Sequence, residues 1–203
     1  MLYPDDVTSP WVRIRRWLES NAAASAQALN PSAADADIQH LNDSLGFRIP
    51  QVLETWLRLN NGSSTKDFRI PIPGGFQLVP HLDSKIFPGG EVFLDCQSII
   101  DRHQQFLRIA DDIGDDDWWK PSWIPVLAET DAHYGLLLDV GQADESAPVP
   151  VLAYRETDYA KHYASSLGHV LNAVANALED RREGGVLTRG RHARVKEGRV
   201  IWD

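Results

Sequence analysis

The order of the hydrophobic periodicities constrains this chain more than any other feature, because it separates helical segments from strands. Apolar residues recur at helical spacing in three N-terminal segments and then alternate every second residue from residue 68. A further helical pattern (98–112) interrupts the strands, and a last one (165–182) follows them. Helices and strands therefore do not alternate regularly. The pattern predicts an α+β fold in one domain, with a mixed or antiparallel central sheet flanked by helices.

The ends of the N-terminal helices carry recognisable signals. Ser9-Pro10 supplies a cap and a first-turn proline for the first helix. Gly46 stands where a glycine ends the second helix, and Pro50 begins the third. Asn61-Gly62 ends the third helix, because both residues tolerate left-handed backbone. These signals predict three short helices before residue 62.

The strands are expected in two groups. An edge hairpin is predicted from 68–72 and 76–79, and three further strands at 124–128, 134–140 and 149–155. The run Leu136–Leu138 has no polar alternation, so its strand is expected to be buried on both faces. Residues 141–148 are rich in Gly, Asp, Ser and Pro and predict a turn.

Composition restricts the class of protein. A chain of 203 residues with 43% apolar residues can bury a core without covalent staples. The single cysteine, Cys96, excludes an internal disulfide framework and any multi-cysteine metal site. No apolar run approaches the ~18 residues of a membrane span, and residues 1–6 lack a signal-peptide pattern. We expect a cytoplasmic protein with no membrane contact.

The net charge of −9 is unevenly distributed. Residues 1–180 hold 26 acidic and 13 basic side chains, a net −13, whereas residues 181–203 have a net +4. An acidic body favours basic protein partners, and no nucleic-acid partner is expected. We divide the chain into a loose N-terminus (1–8), a domain (9–183) and a basic C-terminal extension (184–203). The extension is either a nucleic-acid arm or a solvated segment that folds back on the acidic body.

Sequence motifs of common enzymes are absent. The chain has no phosphate-binding loop, dinucleotide fingerprint, HExxH or GxSxG motif. His162 and His169 would share a helix face if the last helix began early, but no third ligand completes a metal site. Cys96 follows Asp95, whose charge disfavours a thiolate, so a packing role is expected and a Cys96–His103 pair is a remote alternative. We therefore predict no catalytic residue, no metal and no cofactor.

An acidic run beside two tryptophans is the most unusual local feature. Carboxylates at the C-terminal end of a predicted helix oppose its dipole, and a basic partner would relieve that repulsion. A hard cation is an alternative, although the run lacks the frame of an EF-hand, and a plain solvated surface is another. The residues that we assign to partner binding are Asp111, Asp112, Asp115, Asp116, Asp117, Trp118 and Trp119.

An ordered set of motifs over about residues 9–180 resembles the SUKH superfamily, which includes the Smi/Knr regulators of fungal cell-wall synthesis and bacterial toxin-immunity proteins. The pieces, in order, are Trp11–Leu18, Leu29-Asn30-Pro31-Ser32-Ala33, Leu45-Gly46-Phe47-Arg48-Ile49-Pro50, Asn61-Gly62, Trp119–Val126, Gly135–Asp139 and Ala164–Leu171. One departure is Leu167, where the family usually has an aromatic residue. The positions assigned to the shared structural motif are Gly46, Pro50, Asn61, Gly62, Pro121, Trp123, Pro125, Gly135 and Asp139.

This resemblance implies an α+β fold with an exposed face that binds other proteins and no enzymatic activity. The expected function is that of an immunity protein that neutralises a cognate, basic toxin. A regulator or scaffold in cell-wall synthesis or secretion is the alternative, and a hydrolase or metal-binding enzyme is a remote one. The resemblance carries no partner identity and no oligomeric state.

Overall fold

A computed structural model describes residues 6–79, 81–129, 133–141, 147–180 and 185–203. The helices are α1 (Thr8–Asn21), α2 (Ala23–Gln27), α3 (Asp35–Leu45), α4 (Gln51–Leu59), α5 (Cys96–Ile113) and α6 (Leu167–Asp180). The strands are β1 (Phe68–Ile72), β2 (Gly75–Val79), β3 (Val92–Phe93), β4 (Trp123–Ala128), β5 (Gly135–Asp139), β6 (Val151–Arg155), β7 (Asp158–Ala164), β8 (Ala193–Lys196) and β9 (Arg199–Trp202).

The central sheet has five antiparallel strands in the order β3-β4-β5-β6-β7. Each strand pairs with the next one along the chain, and α5 forms the one long connection, between β3 and β4. The α+β class is confirmed. β5 lies in the middle, and Leu136 and Leu138 join the main core while Leu137 joins a second cluster. Because alternate side chains point to opposite faces, this division explains why the run has no polar alternation.

The main core is built around aromatic side chains from the N-terminal helices and the β3 edge. Trp56 stacks on Phe93 with ring centroids 3.6 Å apart, and Trp11 meets Trp56 edge to face at 5.3 Å. The Trp11 indole donates a 2.9 Å hydrogen bond to the Asn60 side chain. The first helix is thereby joined to the end of α4 by packing and by one buried polar contact.

The residues of the shared motif lie at the ends of elements or within buried strands. Gly46 is the left-handed residue after α3, and Pro50 immediately precedes α4. At Gly62 the φ angle is +69°, and a Cβ would lie 2.3 Å from the Asp95 nitrogen, so only glycine fits. At Gly135 a Cβ would lie 2.0 Å from the Leu127 carbonyl oxygen.

The other motif residues lie next to the start of α5 or in and beside β4 and β5. Asn61 accepts a 2.9 Å hydrogen bond from the Cys96 amide at the start of α5. Trp123 begins β4, and Pro125 is buried beside a β-bulge, where a missing amide hydrogen is tolerated. The Pro121 carbonyl oxygen is 3.0 Å from His103 Nε2, and the buried carboxylate of Asp139 accepts the Gly141 amide at 3.1 Å.

The C-terminal segment forms a hairpin, β8–β9, that lies against the body. Val200 is buried in the main core, and its amide donates to Ser25 Oγ over 3.2 Å. The Trp202 indole donates to the Ile86 carbonyl over 3.1 Å. Residues 193–202 are therefore folded onto the domain rather than solvated along their length.

Several local expectations differ from the structure. Ser9 does not cap α1, because the helix begins at Thr8, and the amides of Thr8 and Ser9 both donate to Oδ1 of Asp6. The strand β7 was not predicted, because residues 158–164 carry a mixed polar pattern that only pairing with β6 organises.

His162 lies in β7 and His169 in α6, so the hypothesis that both share one helix face is wrong. The predicted turn at 141–148 falls mostly outside the described residues. Among the described helices, none is long and apolar enough to cross a membrane.

Candidate protein-binding site

The acidic end of the molecule comprises residues 111–118, which form the last turn of α5 and the turn that follows. The helix ends at Gly114, whose φ of 66° is left-handed, and the Asp115 amide returns to the Ala110 carbonyl at 3.0 Å. The side chains of Asp111, Asp112 and Asp116 are exposed. Within the described residues these three carboxylates form no ion pair and accept no hydrogen bond, so their charge is directed at solvent.

Asp115 has a structural position within the acidic end. Its Oδ1 accepts the amides of Asp117 at 3.0 Å and Trp118 at 3.2 Å, and its Oδ2 accepts the Tyr159 hydroxyl at 2.9 Å. The hydrogen bond to the Asp115 carboxylate raises the pKa of Tyr159. Asp117 is 3.3 Å from Lys120. The Asp115 carboxylate thus joins the turn to β7 and, through the two backbone amides, holds the turn in its shape.

The two tryptophans have different environments. Trp119 is 2% exposed and packs edge to face against Phe106, Trp123 and Tyr154. It belongs to the core, so its assignment to partner contact is corrected. Trp118 is half-buried, and its indole donates to the Glu156 carbonyl over 3.3 Å. Trp118 therefore lies at the rim of the acidic end.

Exposed apolar side chains lie among these carboxylates. Ile113 is 56% exposed at the end of α5, and Tyr159 is 55% exposed on β7. An apolar patch within a charged rim is a common arrangement at protein interfaces, where aromatic residues supply much of the binding energy. Sequence reasoning missed Tyr159, because its only signal was an aromatic residue in a segment with no clear strand pattern.

A metal site and a Cys96–His103 pair are the remote alternatives to protein binding. No group of three or more His, Cys, Asp or Glu side chains among the described residues is arranged to hold a metal ion. Burial raises the pKa of the Cys96 thiol to about 12, and burial lowers the pKa of His103. A thiol that stays protonated at neutral pH is a poor nucleophile. The burial of both groups therefore disfavours the proton transfer from Cys96 to His103 that such a pair would need.

A second exposed apolar surface lies on the β1–β2 hairpin. It forms a separate two-stranded sheet, and its strands carry Ile72 at 46%, Phe76 at 54% and Leu78 at 53% exposed. The Arg69 guanidinium lies 4.6 Å from the Phe76 ring centroid. The sequence predicted the strands of this hairpin but not its exposure, which depends on its separation from the central sheet.

The basic side chains of the C-terminal segment pair mainly with carboxylates. Arg199 forms a close ion pair with Asp83, and Arg189 pairs with Glu91, which is almost fully buried. Arg194 is 2.7 Å from Asp203. These pairs use cations that a nucleic-acid arm would present to phosphate.

The architecture defines the class of protein: a single α+β domain with a five-stranded antiparallel sheet and helices against it. The family model described as SMI1 / KNR4 family (SUKH-1) matches residues 32–173. The chain therefore belongs to the SMI1/KNR4 family. The matched range contains the acidic end and excludes α1 and the β8–β9 hairpin. A comparison with curated proteins gave no match.

Proposed function

We propose that this chain is a non-enzymatic immunity protein that binds and neutralises a cognate toxin through the acidic end. Family membership supports a protein-binding role, because SUKH proteins are generally immunity or regulatory proteins. The observation that carries the proposal is a set of three carboxylates, Asp111, Asp112 and Asp116, that have no partner among the described residues and lie around the exposed side chains of Ile113 and Tyr159. The complementary partner is a toxin domain with a basic surface.

The electrostatics of the acidic end support this choice. Asp111 and Asp112 lie in the last turn of α5, where the helix macrodipole is unfavourable for negative charge. Their position works against stability, and stability alone does not account for them. A basic partner converts the same repulsion into attraction and accelerates association by steering. Binding of this type is strong at low salt and weakens as salt rises.

Neutralisation in this proposal is stoichiometric and involves no turnover. Toxins that act on nucleic acid have basic substrate sites, and a rigid acidic surface competes for such a site. The bonds of Asp115 to Tyr159 and to the following amides hold the turn in one shape, which limits the entropy lost on binding. We place the protein in the cytoplasm, where it would protect the cell that makes it.

A regulatory or scaffolding role in cell-wall synthesis or secretion is the second candidate. The exposed β1–β2 hairpin favours it, because a scaffold needs a contact surface separate from the first one. In that role the hairpin and the acidic end bind different proteins. An immunity protein would therefore need the acidic end to bind its toxin, whereas a scaffold would need the hairpin to bind at least one of its partners.

The test takes the proteins encoded next to this chain's gene, selects any with a C-terminal toxin domain, and measures binding of that domain by isothermal titration calorimetry. Asp112→Asn/Asp116→Asn removes two unpaired charges, and Glu19→Gln/Asp43→Asn removes two exposed charges on α1 and α3. We expect a 1:1 complex whose affinity falls at least about tenfold in the first variant and less than about twofold in the control. The difference should shrink at high salt.

Two results would reject the role of the acidic end. One is equal affinity of the acidic-end variant and the control at low salt. The other is that the encoded domain does not bind, while the chain binds a different protein and loses it in the variant Phe76→Ser/Leu78→Ser. That result would assign binding to the β1–β2 hairpin and favour the scaffolding role.

A further inference from the structure

A cavity of about 190 Å³ lies between α5, β3 and the segment that follows α4. Val92, Phe93 and Leu94 form its apolar wall. Polar side chains on the opposite sides include Ser63, Thr65, Ser98 and Arg102. The cavity is smaller than the ~300 Å³ at which pockets begin to accept drug-sized ligands. Its volume suits a molecule of few non-hydrogen atoms.

Arg102 is the main charged group of this cavity. Its guanidinium lies 5.6 Å from the centroid of the Phe106 ring. Arg102 is half-buried on α5, and within the described residues its guanidinium has no carboxylate partner. The other half-buried arginines differ in this respect, since Arg199 pairs with Asp83 and Arg13 with Glu179. A guanidinium offers five donors in a planar fork that matches carboxylate and phosphate oxygens.

Hydroxyl groups add further donors to the same walls. Ser63 is 3% exposed, and its Oγ is buried with no hydrogen-bond partner in the described part of the chain. Buried hydroxyls are usually paired, so this one indicates a missing acceptor. Thr65 and Ser98 also line the cavity. Three hydroxyl groups and one guanidinium therefore line the same cavity.

Two carboxylates lie nearby and limit the charge that the cavity can accept. Asp101 is exposed on the cavity wall and accepts a 2.9 Å hydrogen bond from Gln97. Asp67 lies 3.7 Å from Nε2 of His81, another wall residue. Both are engaged by neighbouring side chains. They favour a singly or doubly charged anion over a polyanion.

We propose that this cavity binds a small oxyanion, the carboxylate or phosphate group of a small molecule. Arg102 binds two oxygens of the anion with its fork, and the Thr65 and Ser98 hydroxyls donate to the remaining oxygen. Ser63 gains an acceptor from the ligand or from a water that the ligand orders. The site is independent of the acidic end and does not rest on toxin binding.

The experiment measures thermal unfolding and calorimetric binding of the full chain with inorganic phosphate and, separately, with malonate. Chloride at equal ionic strength is the reference. We expect saturable stabilisation by at least one anion. Arg102→Gln should weaken binding about tenfold or more, whereas Arg108→Gln, an exposed residue of the same helix outside the cavity, should stay within about twofold.

The two anions distinguish the chemistry of the ligand, because binding of phosphate alone indicates a phosphate group and binding of malonate alone a carboxylate. The proposal is overturned if neither anion gives saturable binding, or if Arg102→Gln and Arg108→Gln bind equally. If Arg102→Gln does not fold, Thr65→Val decides. Its side chain has similar size and lacks the hydroxyl, so unchanged affinity also overturns the proposal.

Discussion

The hydroxyl of Tyr159 donates a 2.9 Å hydrogen bond to Oδ2 of Asp115, and this contact joins β7 to the turn after α5. The other oxygen of the same carboxylate accepts the amides of Asp117 and Trp118. One aspartate of the acidic run therefore sets the geometry of the turn, while Asp112 and Asp116 beside it are exposed and unpaired in the described structure. The acidic run therefore contains one carboxylate that stabilises the turn and others that are exposed to solvent, so substitutions at the two kinds of position should affect the protein differently.

Removal of the Asp115 carboxylate should loosen the turn. In Asp115→Ala the Asp117 amide loses its acceptor, whereas the Trp118 amide keeps the Asp115 carbonyl oxygen at 3.2 Å. We therefore expect hydrogen–deuterium exchange to accelerate clearly at Asp117 and less at Trp118. Tyr159→Phe removes one donor and should have a smaller effect on the same amides. Asp116→Ala is the control and should leave both rates unchanged. Equal rates in Asp115→Ala and in the unchanged protein would contradict the assigned role of this carboxylate.

The unpaired carboxylates should act in the opposite direction on stability. Asp111→Asn and Asp112→Asn remove negative charge from the last turn of α5, and each should raise the free energy of unfolding by about 0.3–1 kcal/mol at low ionic strength. The gain should diminish in high salt. Urea titration measures both values, with Glu156→Gln, which removes an exposed carboxylate in the turn between β6 and β7 and outside any helix, as the control. A loss of stability in either variant would show that the carboxylate is needed for folding.

Local signals made the helices and the central strands predictable. Gly46 and Pro50 act through their own backbone preferences, so the end of α3 and the start of α4 can be read from neighbouring residues. The burial of Leu136–Leu138 on both faces follows from the absence of polar alternation. Each of these features depends on a few residues adjacent in sequence.

The remaining features depend on contacts between distant residues. β7 exists because it pairs with β6, and the exposure of Tyr159 follows from that pairing. The burial of Trp119 depends on Phe106 and Tyr154, neither of which is adjacent in sequence. The acidic run could therefore be found from sequence, but the separation of its structural member, Asp115, from its exposed members could not.

The contact between Arg199 and Asp83 should contribute measurably to stability. Both side chains are about one-fifth exposed, at 20% and 19%, so solvent screens the pair only in part. Arg199→Ala leaves the Asp83 carboxylate without this partner and should lower the free energy of unfolding by about 1–3 kcal/mol. Arg191→Ala, an exposed arginine of the same segment, should change it by less than about 0.5 kcal/mol. Similar values for both variants in urea titrations would show that the hairpin contributes little.

Two phenylalanines should separate exposed apolar surface from core. Phe93 is fully buried and stacked on Trp56, so Phe93→Ala should lower the free energy of unfolding by about 3–5 kcal/mol. Phe76 is 54% exposed on the β1–β2 hairpin, and Phe76→Ala should lower it by less than about 1 kcal/mol. Chemical denaturation compares them directly. A large loss in Phe76→Ala would mean that the hairpin is part of the cooperative core rather than an available surface.

His103 should make stability depend on pH in a defined window. The ring is buried in α5 with Nε2 3.0 Å from the Pro121 carbonyl oxygen, and burial lowers its pKa despite that contact. The unfolded chain, in which the pKa is about 6.5, therefore binds a proton before the folded chain does as pH falls. The stabilising contribution of the neutral ring is complete above about pH 6.5 and is lost as pH falls towards the lower folded pKa. We expect the free energy of unfolding, measured by urea titration, to decline from pH 7 to pH 5. The part of this decline that His103 causes should disappear in His103→Gln. The exposed His40 provides the control, since His40→Gln should retain the slope. An unchanged slope in His103→Gln would assign the pH dependence to other groups.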